Sequence, residues 1–373
     1  MARRLWAILT VLGLIAVAAC NGSGPPAESP AALQWTPVVL PESMNPRSLA
    51  VSGHDLLIGG RSSVGGDHPV LAAIAGDGPT RSVPLKPNSP YAKTADLVSL
   101  DADASEVVAL GAAHGGAHSN FRWTVWRGTA AELVDQPQTF ETFGGQSAGG
   151  LTDIVLTQDG PVIAGSWSAA SGRGLDAAVW LPKGDRWVRS PSAGTPLANT
   201  DLVQVAPWSA AAHGQGMIIT GSLITFADGL QQTAAVWAWP SRSADWSVTR
   251  LPDAGKRSEA LAARCGKTCW VSGYVDDQVA LWQVGSGEPV RESLPSGLLV
   301  DGGTRTVVTA DGRPGVVFSR AGRSTLVIQN QAGWSTFAAP DGTVVDAITF
   351  GDRVYLILGA DAATTRLWTV PLS

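Results

Sequence analysis

The chain has 373 residues, 45% of them hydrophobic and 15% charged, with 43 Gly, 24 Pro and 15 Trp. This supplies enough apolar material for a large core and suits many short strands joined by turns. The net charge of −5 excludes a general attraction to nucleic acid or to anionic membrane surfaces.

The N-terminus reads as a secretion signal. Arg3 and Arg4 form a positive start, and Leu5 to Ala19 is an almost unbroken apolar run. That run is shorter than the roughly 20 residues a spanning helix needs. It ends in VAAC, Val17 to Cys20, which resembles the lipobox of bacterial lipoproteins. The resemblance implies a signal peptide over 1–19, cleavage before Cys20 and lipidation of that residue. The competing readings are an ordinary signal peptide with a chance Cys, or an uncleaved anchor. Asn21 to Ala32, NGSGPPAESPAA, has no apolar periodicity and reads with Cys20 as a flexible tether over 20–32.

From Leu33 to Ser373 the chain parses into seven groups of four strands, labelled a to d. The clearest unit is DAAVWLPKGDRWVRSP at 176–191, with near-copies at 233–252, 279–295 and 325–340. Predicted a strands include SLAVSG (48–53), ADLVSLDA (95–102), LTDIVLT (151–157), TDLVQVA (200–206), EALAARC (259–265), LLVDGG (298–303) or a neighbouring register, and VVDAITF (344–350). TRSVPLKP (80–87) is read as one d strand. The seventh group ends without a d strand, while LQWTPVVLP at 33–41 looks like a d strand with no partners before it. A ring closed by the N-terminal strand completing the C-terminal sheet accounts for both. The arrangement resembles the closure of β-propellers, and 341 residues in seven groups is about 49 each, within the range of known blades. The expected fold is all-β, a seven-bladed propeller over 33–373. An open run of hairpins or two β-sandwiches is the alternative.

The c–d turns KGDRW, RSADW and NQAGW sit where sialidase-like propellers carry Asp-box turns, although none has the full Ser-x-Asp-x-Gly-x-x-Trp pattern. The resemblance implies the fold and says little about activity. Their Trp residues are read as wedges between sheets.

Cys265 and Cys269, in RCGKTCW, face each other if GKT tips a hairpin, which predicts a disulfide. A CxxxC metal pair is the competing reading, but no neighbouring His, Cys or acid cluster in the sequence completes a tetrahedral set.

The b–c loops are long in groups one to four (62–68, 113–120, 168–175 and 223–232) and short in group five, so one face of the disc is built up asymmetrically. Five groups open strand a with an acid: Asp96, Asp153, Asp201, Glu259 and Asp346. These are expected either to ring the channel entrance as a ligand site or to accept backbone N–H bonds from the next blade. Asp67, His68, His114 and His118 in adjacent b–c loops offer a candidate metal set, weighed against solvated surface His. No HExxH, P-loop or GxGxxG motif is present, and Tyr91, Tyr274 and Tyr355 have no motif to anchor a Tyr–Glu nucleophile pair. No cofactor is expected. The sequence therefore points to a lipid-anchored propeller on the extracytoplasmic face of a bacterial cell membrane. Its expected role is to bind or scaffold an envelope protein, peptide or glycan, with a glycan- or cell-wall-directed hydrolase or lyase as the alternative.

Overall fold

Residues whose two faces are both covered can be apolar without alternation, and the middle strands of this chain show that pattern. Leu56–Gly60, Pro161–Gly165, Gly216–Leu223 and Val354–Gly359 are continuous buried runs. An outer strand such as Ser247–Arg250 is wholly exposed. In this computed structural model, which describes residues 33–41, 43–115, 120–227, 229–360 and 364–372, the strands form seven sheets. Residues 1–32, with the signal segment, Cys20 and the whole tether, lie outside that description, as does His118.

The sheets are the blades of a seven-bladed β-propeller. Their inner strands, in order, are Met44–Ser52, Asp96–Ala102, Ala148–Thr157, Val203–His213, Ser258–Cys265, Thr304–Val308 and Thr343–Phe350. Seven apolar clusters fill the spaces between neighbouring blades. One joins Leu49 and Ile58 of blade 1 to Tyr355 and Ile357 of blade 7, so packing runs unbroken around the ring. The outermost strand of blade 7 is Thr36–Pro37, antiparallel to Thr365–Pro371 with Thr36 opposite Thr369. Among the described residues the only helices are the single turns Ala92–Thr94 and Phe140–Phe143, and none is long enough to cross a membrane.

Four fully buried tryptophans mark the repeated VW strand: Trp126, Trp180, Trp237 and Trp282 in blades 2 to 5. The Nε1–H of Trp180 donates to Thr142 O, that of Trp237 to Pro196 O, and that of Trp282 to Pro252 O, at 2.9–3.0 Å. These three rings thus wedge between sheets and tie down the segment leading into their own blade's inner strand, whereas Trp126 donates to Thr124 Oγ1 of its own strand. The c–d turn tryptophans are less central: Trp187 is buried, Trp246 stacks on Trp239 at 5.4 Å, and Trp334 is partly buried.

Three strand predictions need correction. TRSVPLKP is divided at Pro84, which has no N–H for the ladder. Thr80–Val83 stays in blade 1, while Leu85–Lys86 pairs parallel with Glu132–Asp135 as a fifth strand of blade 2. In group six the inner strand is Thr304–Val308 and not 298–303. The apolar 298–300 segment instead bonds to the blade 5 hairpin through Val279 N to Leu298 O and Val300 N to Asp277 O. In group four the strand begins at Val203 and runs on to His213, so 200–206 covers only its start.

Six inner strands carry a one-residue bulge, at Arg47, Val98, Thr152, Trp208, Leu261 and Val345. A bulge leaves one residue out of the ladder and re-aims its side chain. All six bulged residues line the central channel.

Candidate functional site

The channel encloses a cavity of about 810 Å³ with walls from all seven inner strands. The bulged residues set four apolar side chains, Val98, Trp208, Leu261 and Val345, into a lining that is mainly polar, and Trp208 is 51% exposed within it. Large exposed apolar side chains also gather in the b–c loops and d–a connections: Val64, Tyr91, Phe140, Leu202, Phe226 and Leu230. Arg122 lies over the Phe140 ring at 4.8 Å and the Tyr91 ring at 5.9 Å, and His114 packs against Phe121 at 4.5 Å. The built-up face therefore carries exposed aromatic rings with the Arg122 guanidinium lying over two of them.

The five candidate acids do not form one ring, because they occupy different register positions. Asp153 and Asp346 directly follow a bulge, whereas Asp96 and Glu259 stand two residues before one. Asp201 precedes its strand, is exposed and pairs with Arg173 of a b–c loop.

Asp153 accepts the Ala210 N–H of the next blade at 2.8 Å and the Ser99 hydroxyl of the previous blade at 3.0 Å. Asp346 accepts the Leu49 N–H across the ring closure at 2.8 Å. Asp101, which the acid pattern did not include, accepts the Leu156 N–H at 2.8 Å in the same way. Burial pushes the Asp153 carboxyl up and takes Asp101 to about 6, against the lowering effect of those backbone bonds. Arg264 and Arg305 each approach the Asp346 Oδ1 at 3.7 Å. These carboxylates fasten blade to blade while lining the channel.

Near the mouth, Asp96 accepts from Arg47 Nε at 3.0 Å, and burial still holds its carboxyl above the usual range. Glu259 is buried with Gln232 Nε2 donating to it and Arg257 3.7 Å away. The Tyr274 hydroxyl is buried beside Glu259, and the Arg257 guanidinium covers its ring at 5.2 Å. Burial and the Glu259 carboxylate hold Tyr274 firmly protonated, the opposite of what a phenolate nucleophile requires. No His lines the channel among the described residues.

Among the described residues, Asp67, His68 and His114 form no group with metal-ligand proximity. Asp67 bonds Ser63 Oγ at 2.7 Å and Arg61 at 3.3 Å, and the His68 Nδ1 lies 2.9 Å from Gly66 O. Among the described residues the one group with metal-ligand proximity is His213, Cys265 and Cys269. Cys265 and Cys269 form the expected disulfide at a hairpin end, with Cα atoms 4.0 Å apart. The bulge residues were missed because register shifts have no fixed sequence code. Trp208 carried one usable signal, an APWSA segment extending strand a beyond the length its sister strands need.

Fold and channel define a β-propeller, and the solved structures agree with that class. The β-propeller domain of the Trilobed protease from Pyrococcus furiosus matches with a TM-score of 0.54 at 9% identity, covering 88% of this chain and 96% of that one. A puromycin-hydrolyzing peptidase of Mycobacterium tuberculosis matches with a TM-score of 0.52 at 15% identity, covering 92% of this chain and 55% of that one. A Trypanosoma rangeli sialidase is similar at a TM-score of 0.45 and 9% identity, covering 91% of this chain and 59% of that one. The chain thus spans little more than half the length of the peptidase and the sialidase. At these identities the likeness shows the fold alone. No family model matches the chain, and no curated protein does.

Proposed function

We propose that this propeller is a binding module of the bacterial cell envelope, held to the membrane by lipidated Cys20 and the 20–32 tether, that docks a protein or peptide on its built-up face. The observation that carries the reading is the half-exposed Trp208 in a channel lined by bulged side chains, together with exposed aromatics and Arg122 in the b–c loops and d–a connections. Aromatic and Arg-rich, Lys-poor surfaces are what protein interfaces use at their energetic centres. The hydrolase alternative has less support. The channel carboxylates are engaged in inter-blade bonds, and Tyr274 is held protonated.

A photo-cross-linking residue at Trp208 or Phe226 of the membrane-localised chain is expected to trap a discrete polypeptide. The same residue at Val188 or Val290, on outer strands, is expected to trap none. Equal labelling from both sets, or labelling from neither, would remove the docking face. The anchor has its own test. Cys20→Ala is expected to move the protein from the membrane fraction to the soluble fraction, and an unchanged distribution would defeat it.

A further inference from the structure

His213 ends the a strand of blade 4, and Cys265 and Cys269 flank the hairpin tip of blade 5. The chain places them 52 residues apart, and the fold brings their ligand atoms within 4.8 Å of one another. The cluster is held from both sides. Cys265 and Cys269 are directly opposed in the ladder, Gly266 N donates to Thr268 O across the tip at 3.0 Å, and both blades pack into one apolar cluster containing Cys269, Ala263 and Ile218. The His213 Nδ1 is shielded from solvent and has no hydrogen-bond partner among the described residues. A sealed, unpaired nitrogen on a ring that lies beside two sulfurs is costly unless something is meant to meet it.

We infer that His213, Cys265 and Cys269 form a redox-gated site for one thiophilic cation of the zinc class. In the disulfide form the sulfurs are bonded to each other and are poor ligands. A dithiol reductant opens the site: one of its thiolates attacks a disulfide sulfur, its second thiol releases the mixed disulfide, and the reductant leaves oxidised. Cys265 and Cys269 take up two electrons and two protons. The cation then binds both sulfurs as thiolates, expelling the two thiol protons to solvent, and the neutral His213 ring donates its Nδ1 lone pair while its Nε2 keeps the hydrogen. Around a tetrahedral zinc, with Zn–S of about 2.3 Å and Zn–N of about 2.0–2.1 Å, such ligand atoms stand roughly 3.5–3.8 Å apart. Cys265 also lines the channel, so water can supply a fourth ligand and leave the position exchangeable.

The test uses the full chain, purified oxidised or after phosphine reduction, and titrated with Co2+ and then Zn2+. Reduced protein is expected to take up one Co2+ per chain with a thiolate-to-metal charge-transfer band that Zn2+ bleaches, and oxidised protein is expected to show none. Cys265→Ser/Cys269→Ser, which retains Cys20, is expected to lose the band. His213→Ala is expected to weaken binding by on the order of tenfold or more while the fold, read by circular dichroism, persists. Equal binding by the oxidised chain, absence of the band on reduction, unchanged affinity in His213→Ala, or unfolding of the reduced chain would each overturn the site.

Discussion

Trp237→Ala is expected to cost about 3–5 kcal/mol of stability, the usual range for emptying a buried Trp site. The ring has no exposed surface and sits in the cluster joining blades 3 and 4. Its removal also strips Pro196 O of a donor, and closely packed sheets cannot easily collapse into the space. Against a typical total of about 5–15 kcal/mol, this is a large fraction of the fold. Trp237→Phe keeps most of the volume but not the N–H, so it should lose only about 1–2 kcal/mol. Urea unfolding followed by circular dichroism separates the three proteins. A loss below about 1 kcal/mol for Trp237→Ala would mean that the blades cohere without their Trp wedges.

Asp101 should respond to substitution in opposite directions. Asp101→Ala leaves the Leu156 N–H without its acceptor and is expected to destabilise by about 1–3 kcal/mol. Asp101→Asn keeps an acceptor oxygen and removes the charge. The folded carboxyl titrates at about 6, above its ordinary 3.8, because burial opposes ionisation. A raised carboxyl pKa means the folded protein binds the proton more tightly than the unfolded chain. Its contribution is therefore fully present below about pH 4 and is lost as pH rises through about 6. Wild type should thus lose stability across that window, and Asp101→Asn should flatten the loss. The gain at pH 7.5 should be on the order of 1–2 kcal/mol, reduced because channel water reaches the wall. Melting temperatures measured from pH 4 to 8 check this. Identical pH profiles for wild type and Asp101→Asn would show that the carboxyl ionises freely in the folded state.

The residues that were legible in advance share a property: their role is written in local pattern. The VW strands, the Gly- and Pro-rich turns and the near-constant spacing between groups specify blades, because a strand covered on both faces needs an apolar run of limited length. Cys265 and Cys269 could be paired because a three-residue tip places them opposite each other in any hairpin. Pro84 shows where local pattern was readable but misread, since a missing N–H divides the ladder at that point.

The site was less legible because it depends on register and on neighbours distant in sequence. Five acids looked equivalent by their place in each group, yet a one-residue bulge moves a side chain from the ladder to the channel, and the strands bulge at different offsets from the acids. Asp101 could not be distinguished from a surface acid until the backbone of blade 3 was beside it. His213 gave no sign of sulfur chemistry until two hairpins were brought side by side by the ring. The sequence alone determined the repeat, most of the strands, the disulfide and the seven-fold architecture, all consequences of short-range pattern. Which side chains face the channel, which carboxylates fasten the blades, and which histidine meets the cysteines were decided by the tertiary structure, because each depends on registers and inter-blade distances that no local pattern encodes.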